Sequence, residues 1–238
     1  MLSHTLKLRN RRITHFFYMS AMVYMMVLVI LGFWPTYFRH LFTDFPFRHW
    51  IIHTHAVIFI GWLLLLLVQV SLVAMGNTKF HRKLGVVGGF YGILILIFGL
   101  AAAIIMPLAR IESGDWTLER GASFLIHPLG DIFVYVGFFI PALYYRRKAE
   151  IHKRLILIAS LMLVFPAVAR MGMEQVAMYI VWLIPLITST TLDIILKKRI
   201  YLVNIIGVAV LILSVIGRYY FSSTELWLKI GRYLLSIF

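Results

Sequence analysis

The chain has 238 residues, 62% of them hydrophobic and 13% charged, with a mean hydropathy of +0.92. A soluble domain carries roughly 45–50% apolar and about 25% charged residues, so this chain cannot cover a water-facing surface, and it is too apolar to be disordered. The net charge of +14 would suggest nucleic acid in a soluble chain, but here the basic residues form short clusters between apolar runs, the positive-inside pattern of a helical membrane protein, so no nucleic-acid partner is expected.

A spanning helix needs about 20 mainly apolar residues, and seven such runs follow one another. The first covers 14–34 and is closed by Pro35. It is too long for the apolar region of a signal peptide and has no small-x-small site before Pro35, so it is expected to be a retained anchor. The second covers 50–75 and ends at the Gly76-Asn77 turn; the third covers 84–106, closed by Pro107. The fourth covers 123–145 and the fifth 154–169, which carries Pro166; the sixth covers 174–196 and the seventh 201–219. The tail 222–238 mixes Leu226, Trp227, Ile230 and Tyr233 with Lys229 and Arg232, which suits an interfacial helix better than an eighth span. The runs are continuous and not alternating, so the expected fold class is all-α, a polytopic integral membrane helix bundle of about seven transmembrane helices, and not a barrel. No linker divides it, so 1–238 is expected to be a single transmembrane domain.

Basic residues orient the bundle. Lys7, Arg9, Arg11 and Arg12, then Lys79, Arg82 and Lys83, Arg146 to Lys148 with Lys153 and Arg154, and Lys197 to Arg199 fall on one side. Arg39, Arg48, Arg110, Arg120 and Arg170 fall on the other. That asymmetry predicts a multi-pass protein of the cell inner membrane, with its amino terminus cytoplasmic and its carboxyl terminus outside.

The chain has no cysteine. Disulfides, thiolate ligands and covalent haem attachment are excluded, and a metal or cofactor would depend on His, Met, Asp, Glu or Tyr. Histidine placement is informative. His53 and His55 lie at the outer start of the second helix, His81 at the inner start of the third, His127 at the outer start of the fourth and His152 at the inner start of the fifth. His81 follows His55 by 26 residues and His152 follows His127 by 25. His81-Arg82-Lys83-Leu84 and His152-Lys153-Arg154-Leu155 have the same character, as a duplicated two-helix hairpin would.

Two imidazoles facing across a gap are the axial ligands that a b-type haem needs. One pair would be His55 (or His53) with His127 near the outer face; the other would be His81 with His152 near the inner face. Gly61, Gly85, Gly88, Gly89, Gly92 and Gly99 would leave room for close approach. Arg48 or Arg120 outside, and Arg82 or Lys153 inside, would pair with propionates. His53 and His55 differ by about 200° around a helix, so only one of them can face inward. His49 shares the face of His53. Asp131 follows His127 by one turn and would orient its ring.

Over about 50–170 this arrangement resembles the four-helix core of the cytochrome b561 type, on His55 or His53, His81, His127 with Pro128 and Leu129, and His152. Haem A synthases are a more distant likeness, and the chain is also similar to uncharacterised bacterial membrane proteins with a His-Arg-Arg-Leu-Gly-like inner motif. The resemblance implies one or two b haems and electron transfer across the membrane, with a quinone or a redox protein as partner alongside the lipid bilayer.

Two other classes fit the residues. A membrane-embedded hydrolase or oxidase would hold Zn, Fe or Cu with His53, His55, His127 and Asp131, leaving the inner histidines as structure. A non-catalytic subunit or transporter would carry no cofactor. Arg170 and Glu174 are expected to form a local ion pair. Gln69 and Asp193 stand as single polar residues in apolar helices. There is no Walker A, GxGxxG or HExxH motif, and no lysine in the seventh helix for a retinal Schiff base.

Overall fold

A computed structural model describes residues 2–41 and 50–238, with the side chains of residues 2–4, 6 and 7 left aside. Seven helices are long and apolar enough to cross a membrane. They are α1 (Leu2–Phe33), α2 (Trp50–Ala74), α3 (Thr78–Glu112), α4 (Leu118–Tyr144), α5 (Ala149–Ala169), α6 (Gln175–Lys197) and α7 (Leu202–Phe221). The helix α8 (Glu225–Ser236) has 12 residues, too few to span. Among the described residues there is no strand.

The helices α3, α4, α6 and α8 begin where a side-chain oxygen satisfies a free N–H group. Asn77 accepts from Phe80 N (3.2 Å), Thr117 from Arg120 N (3.2 Å), and Thr224 from Trp227 N (3.3 Å). Each expected span overlaps one of these helices, but α1, α3, α4 and α5 begin 5 to 12 residues earlier than expected, and Pro107 lies inside α3 and does not end it. Pro128, Pro141, Pro166 and Pro185 are likewise internal. In an apolar surrounding a helix is the least costly state for the backbone, so a proline only frees one carbonyl for another donor. Tyr24 illustrates this. Its hydroxyl donates to Val181 O (2.8 Å), the carbonyl that Pro185 leaves without its helical partner. With 35 residues, α3 is about 50 Å long and overshoots a hydrocarbon core of about 30 Å.

The helices α2, α3, α4 and α5 surround a common interior, and α1 packs against both α2 and α5. The helices α6 and α7 lie on α5, with α7 also on α4. The α1–α5 approach is close because Gly32 faces the Ala167 backbone, where a Cβ would overlap the carbonyl. At mid-depth the interior is filled by Trp62, Tyr91, Tyr135 and Phe139. Trp62 meets Tyr135 edge-on (5.9 Å between centroids) and Phe139 edge-on (5.5 Å), while Tyr135 and Phe139 stack at 5.2 Å. Trp62 Nε1 donates to Ser160 Oγ (3.2 Å), so four helices meet there without a buried polar group left over from the indole.

The helix α8 folds back on α4. Trp227 Nε1 donates to Ala122 O (2.9 Å), and Gly231 packs against the Ala122 backbone. Leu226, Ile230, Tyr233 and Ile237 form an exposed apolar stripe at helical spacing beside Lys229 and Arg232, as an interfacial helix requires. The bundle end that carries the start of α1 and the turns 75–77, 145–148 and 198–201 holds most of the basic clusters and is called the basic end below.

Candidate functional site

At the end opposite the basic one, His55 and His127 occupy different surroundings. The His55 ring lies on Phe59 (3.9 Å between centroids) and faces the Phe98 backbone of α3; its Nδ1 is fully enclosed with no hydrogen-bond partner. Tyr37 OH lies 3.1 Å from His53 Nδ1, which ties that ring to the segment after α1. His127 sits where α4 meets α7. Arg218 Nη1 donates to the His127 backbone carbonyl and to Asp131 Oδ1 (2.7 Å). Asp131 is therefore neutralised by Arg218 and makes no hydrogen bond to the His127 ring, in contrast to the expected orienting role. The cause is energetic: an ionised carboxylate inside an apolar bundle gains more from a guanidinium than from a neutral imidazole. Arg120 is stacked over Trp116 (5.0 Å), and Arg48 and His49 lie outside the described residues.

Two expected glycine clefts at this depth are filled by the chain itself. A Cβ at Gly92 would meet the Phe139 ring and one at Gly99 would meet Ile132. Gly61 likewise abuts the Tyr91 hydroxyl. Among the described residues no three His, Asp or Glu side chains are grouped to share a metal ion, so His53, His55, His127 and Asp131 do not converge on one point.

At the basic end His81 opens α3 and His152 opens α5, with His152 within electrostatic range of His81. His152 Nδ1 lies 2.8 Å from the Ala142 carbonyl, so that nitrogen is the donor and Nε2 remains available. Gln69 on α2, placed by sequence as an isolated polar residue, lies between His81 and Gly85. Its amide nitrogen donates to His81 Nδ1 (2.5 Å) and His81 O (3.1 Å), and its oxygen accepts from Gly85 N (2.9 Å). His81, Gly85, Gly88 and Gly92 fall on one face of α3, spaced by three or four residues. A Cβ at Gly85 would touch only Gln69 at 3.8 Å, and one at Gly89 would meet nothing within 4 Å.

The same end holds a charged network that the sequence did not reveal as one. Arg154 on α5 is 1% exposed and clasps Asp193 on α6, with Nε donating to Oδ2 (2.9 Å) and Nη2 to Oδ1. Arg154 Nη1 also donates to Glu150 Oε2 (2.9 Å). Lys197 bonds Glu150 and lies 3.4 Å from Asp193; Lys153 bonds Glu150 (2.9 Å). Asn204 on α7 donates to Thr190 Oγ1 (3.1 Å) and Asp193 Oδ2 (3.4 Å). The signal was present: an acid in an apolar helix demands a base at the same depth. Arg154, counted in the sequence among the basic residues of the inner side and as the first residue of the fifth span, is that base. The expected Arg170–Glu174 pair does not form. Glu174 accepts from Val176 N (2.9 Å) and Ala177 N (3.2 Å) as the cap of α6, whereas Arg170 donates to Pro166 O (2.6 Å) and lies over Phe33 (4.8 Å).

Compared with known families, curated proteins and solved structures, the chain matches none, so its function rests on these side chains.

Proposed function

We propose that this integral membrane helix bundle is an electron carrier that binds b-type haem, with His81 and His152 as the principal ligand pair and His55 as a further ligand position. The observation that carries this reading is that His81 on α3 and His152 on α5 lie at the same end of the bundle, within electrostatic range, beside glycines of α3. A ligating imidazole commonly gives its other ring N–H to a carbonyl, which fixes the tautomer and the ring plane. His152 has that arrangement through Ala142 O. His81 Nδ1 accepts from the Gln69 amide, which fixes the ring plane; ligation through Nε2 would require the ring proton to move to Nδ1. On α3 a Cβ would meet only Gln69 (3.8 Å) at Gly85 and nothing within 4 Å at Gly89, while at Gly88 it would touch Leu65 (3.6 Å). Arg82 brings a cation to the same end for a propionate, while Lys153 is engaged by Glu150.

Bound haem would supply one-electron chemistry. The chain contributes two fixed imidazoles, a low-dielectric wall and a waist of packed rings that keeps water from the interior. At the opposite end the enclosed, unpartnered His55 Nδ1 supports a second ligand position, while Asp131 is committed to Arg218.

The test is the oxidised-minus-reduced visible spectrum of the purified protein, with haem quantified on the same sample. A b-type spectrum is expected, with His81→Ala or His152→Ala losing bound haem and His40→Ala keeping it. A folded sample, produced with haem supplied, that carries none would overturn the proposal.

A further inference from the structure

The charged network at the basic end leaves two groups without full compensation. Its cations Lys153, Arg154 and Lys197 share only two carboxylates, Glu150 and Asp193, so one positive charge is in excess. The Tyr18 hydroxyl, on a side chain 7% exposed, makes no hydrogen bond; the Ser189 hydroxyl faces it without closing one. Both features border one small cavity of about 10 Å³ between α1, α5 and α6. Tyr18, Ser189, Lys153, Arg154 and Lys197 supply its donors. Asp193 also borders it, with its oxygens engaged by Arg154, Lys197 and Asn204. The rest of the wall includes the half-buried Phe17, Leu192 and Leu196.

We propose that this cavity receives one phosphate oxygen of an anionic phospholipid whose acyl chains lie along α1 and α6. The volume holds a single oxygen-sized atom. The excess positive charge calls for a monoanion, and a Tyr18 hydroxyl without a partner is a donor waiting for an acceptor. Lys153 lies in the first turns of α5 and Lys197 ends α6, which puts both ammonium groups at head-group depth. Basic pockets between spanning helices are a recurring lodging for anionic head groups. A choline head group brings its own cation next to two lysines and is disfavoured.

The experiment is thermal unfolding of the full chain in neutral detergent with phosphatidylglycerol, phosphatidylcholine or inorganic phosphate added. Phosphatidylglycerol alone should raise Tm. Lys153→Gln with Lys197→Gln should abolish that response. Because this pair also touches Glu150, Tyr18→Phe provides an isosteric second variant, expected to weaken the apparent lipid affinity by about threefold to tenfold, the worth of one hydrogen bond. Lys229→Gln on α8 should respond as the parent does. An equal response to phosphatidylcholine, or a phosphatidylglycerol response unchanged in both site variants, would overturn the proposal. The same Tm shift from inorganic phosphate would replace the lipid by a free anion and overturn it too.

Discussion

Arg218 on α7 donates to the Asp131 carboxylate on α4 at 2.7 Å, and the same nitrogen donates to the backbone carbonyl of His127. One guanidinium thus ties a carboxylate and a neighbouring turn of α4 to α7. Removing one partner strands the other charge inside the bundle. Asp131→Ala is expected to cost about 3–5 kcal/mol, while Asp131→Leu with Arg218→Met should recover most of that loss. Unfolding of the purified variants in detergent checks the ordering, which a merely peripheral pair would not produce.

Trp62 and Ser160 give a graded test of the waist. Ser160→Ala removes the acceptor of a buried indole N–H and should cost about 1–3 kcal/mol. Trp62→Ala also loses the contacts with Tyr135 and Phe139 and should cost about 3–5 kcal/mol. Equal losses in the two variants would mean that the indole packs loosely.

Two glycines should behave oppositely. Gly32→Ala drives a methyl into the Ala167 carbonyl and should separate α1 from α5, lowering thermal stability markedly. Gly89→Ala meets nothing within 4 Å and should be stable as protein, yet it narrows the face below His81. Haem content measured on the folded Gly89→Ala variant then reports on that space separately from folding.

Gln69→Leu removes the group that holds His81 while keeping its volume approximately. If His81 ligates haem, the variant should bind it about 10- to 100-fold more weakly, with Tm changed far less than in Trp62→Ala. Titration of haem into the apo form against Tm on the same samples separates positioning from stability.

Much of the architecture is legible in the chain. Apolar runs of spanning length mark seven helices, and the cationic amphipathic tail marks α8, because both depend on local composition. Pro107 misleads because the rule that proline ends a helix belongs to water, where a broken turn can be solvated. The sites are less legible. Nothing local says that Asp131 meets Arg218 rather than His127, or that Asp193 meets Arg154, since those pairs are 87 and 39 residues apart. The 25- and 26-residue histidine spacings fit a duplicated two-helix hairpin, but whether partners face each other depends on what fills the gap. Phe139 at Gly92 and Ile132 at Gly99 fill it in one half, and the face beside Gly85 and Gly89 stays open in the other.

The ring-packed waist has an electrical meaning. Trp62, Tyr135 and Phe139 pack ring against ring between the ionic clusters at the two ends, a layer that protons and ions cross poorly without a chain of polar groups. Electrons need no such chain and can tunnel through packed aromatic matter. If the bundle carries electrons as proposed, this layer is the part that would keep a membrane voltage from discharging while they pass.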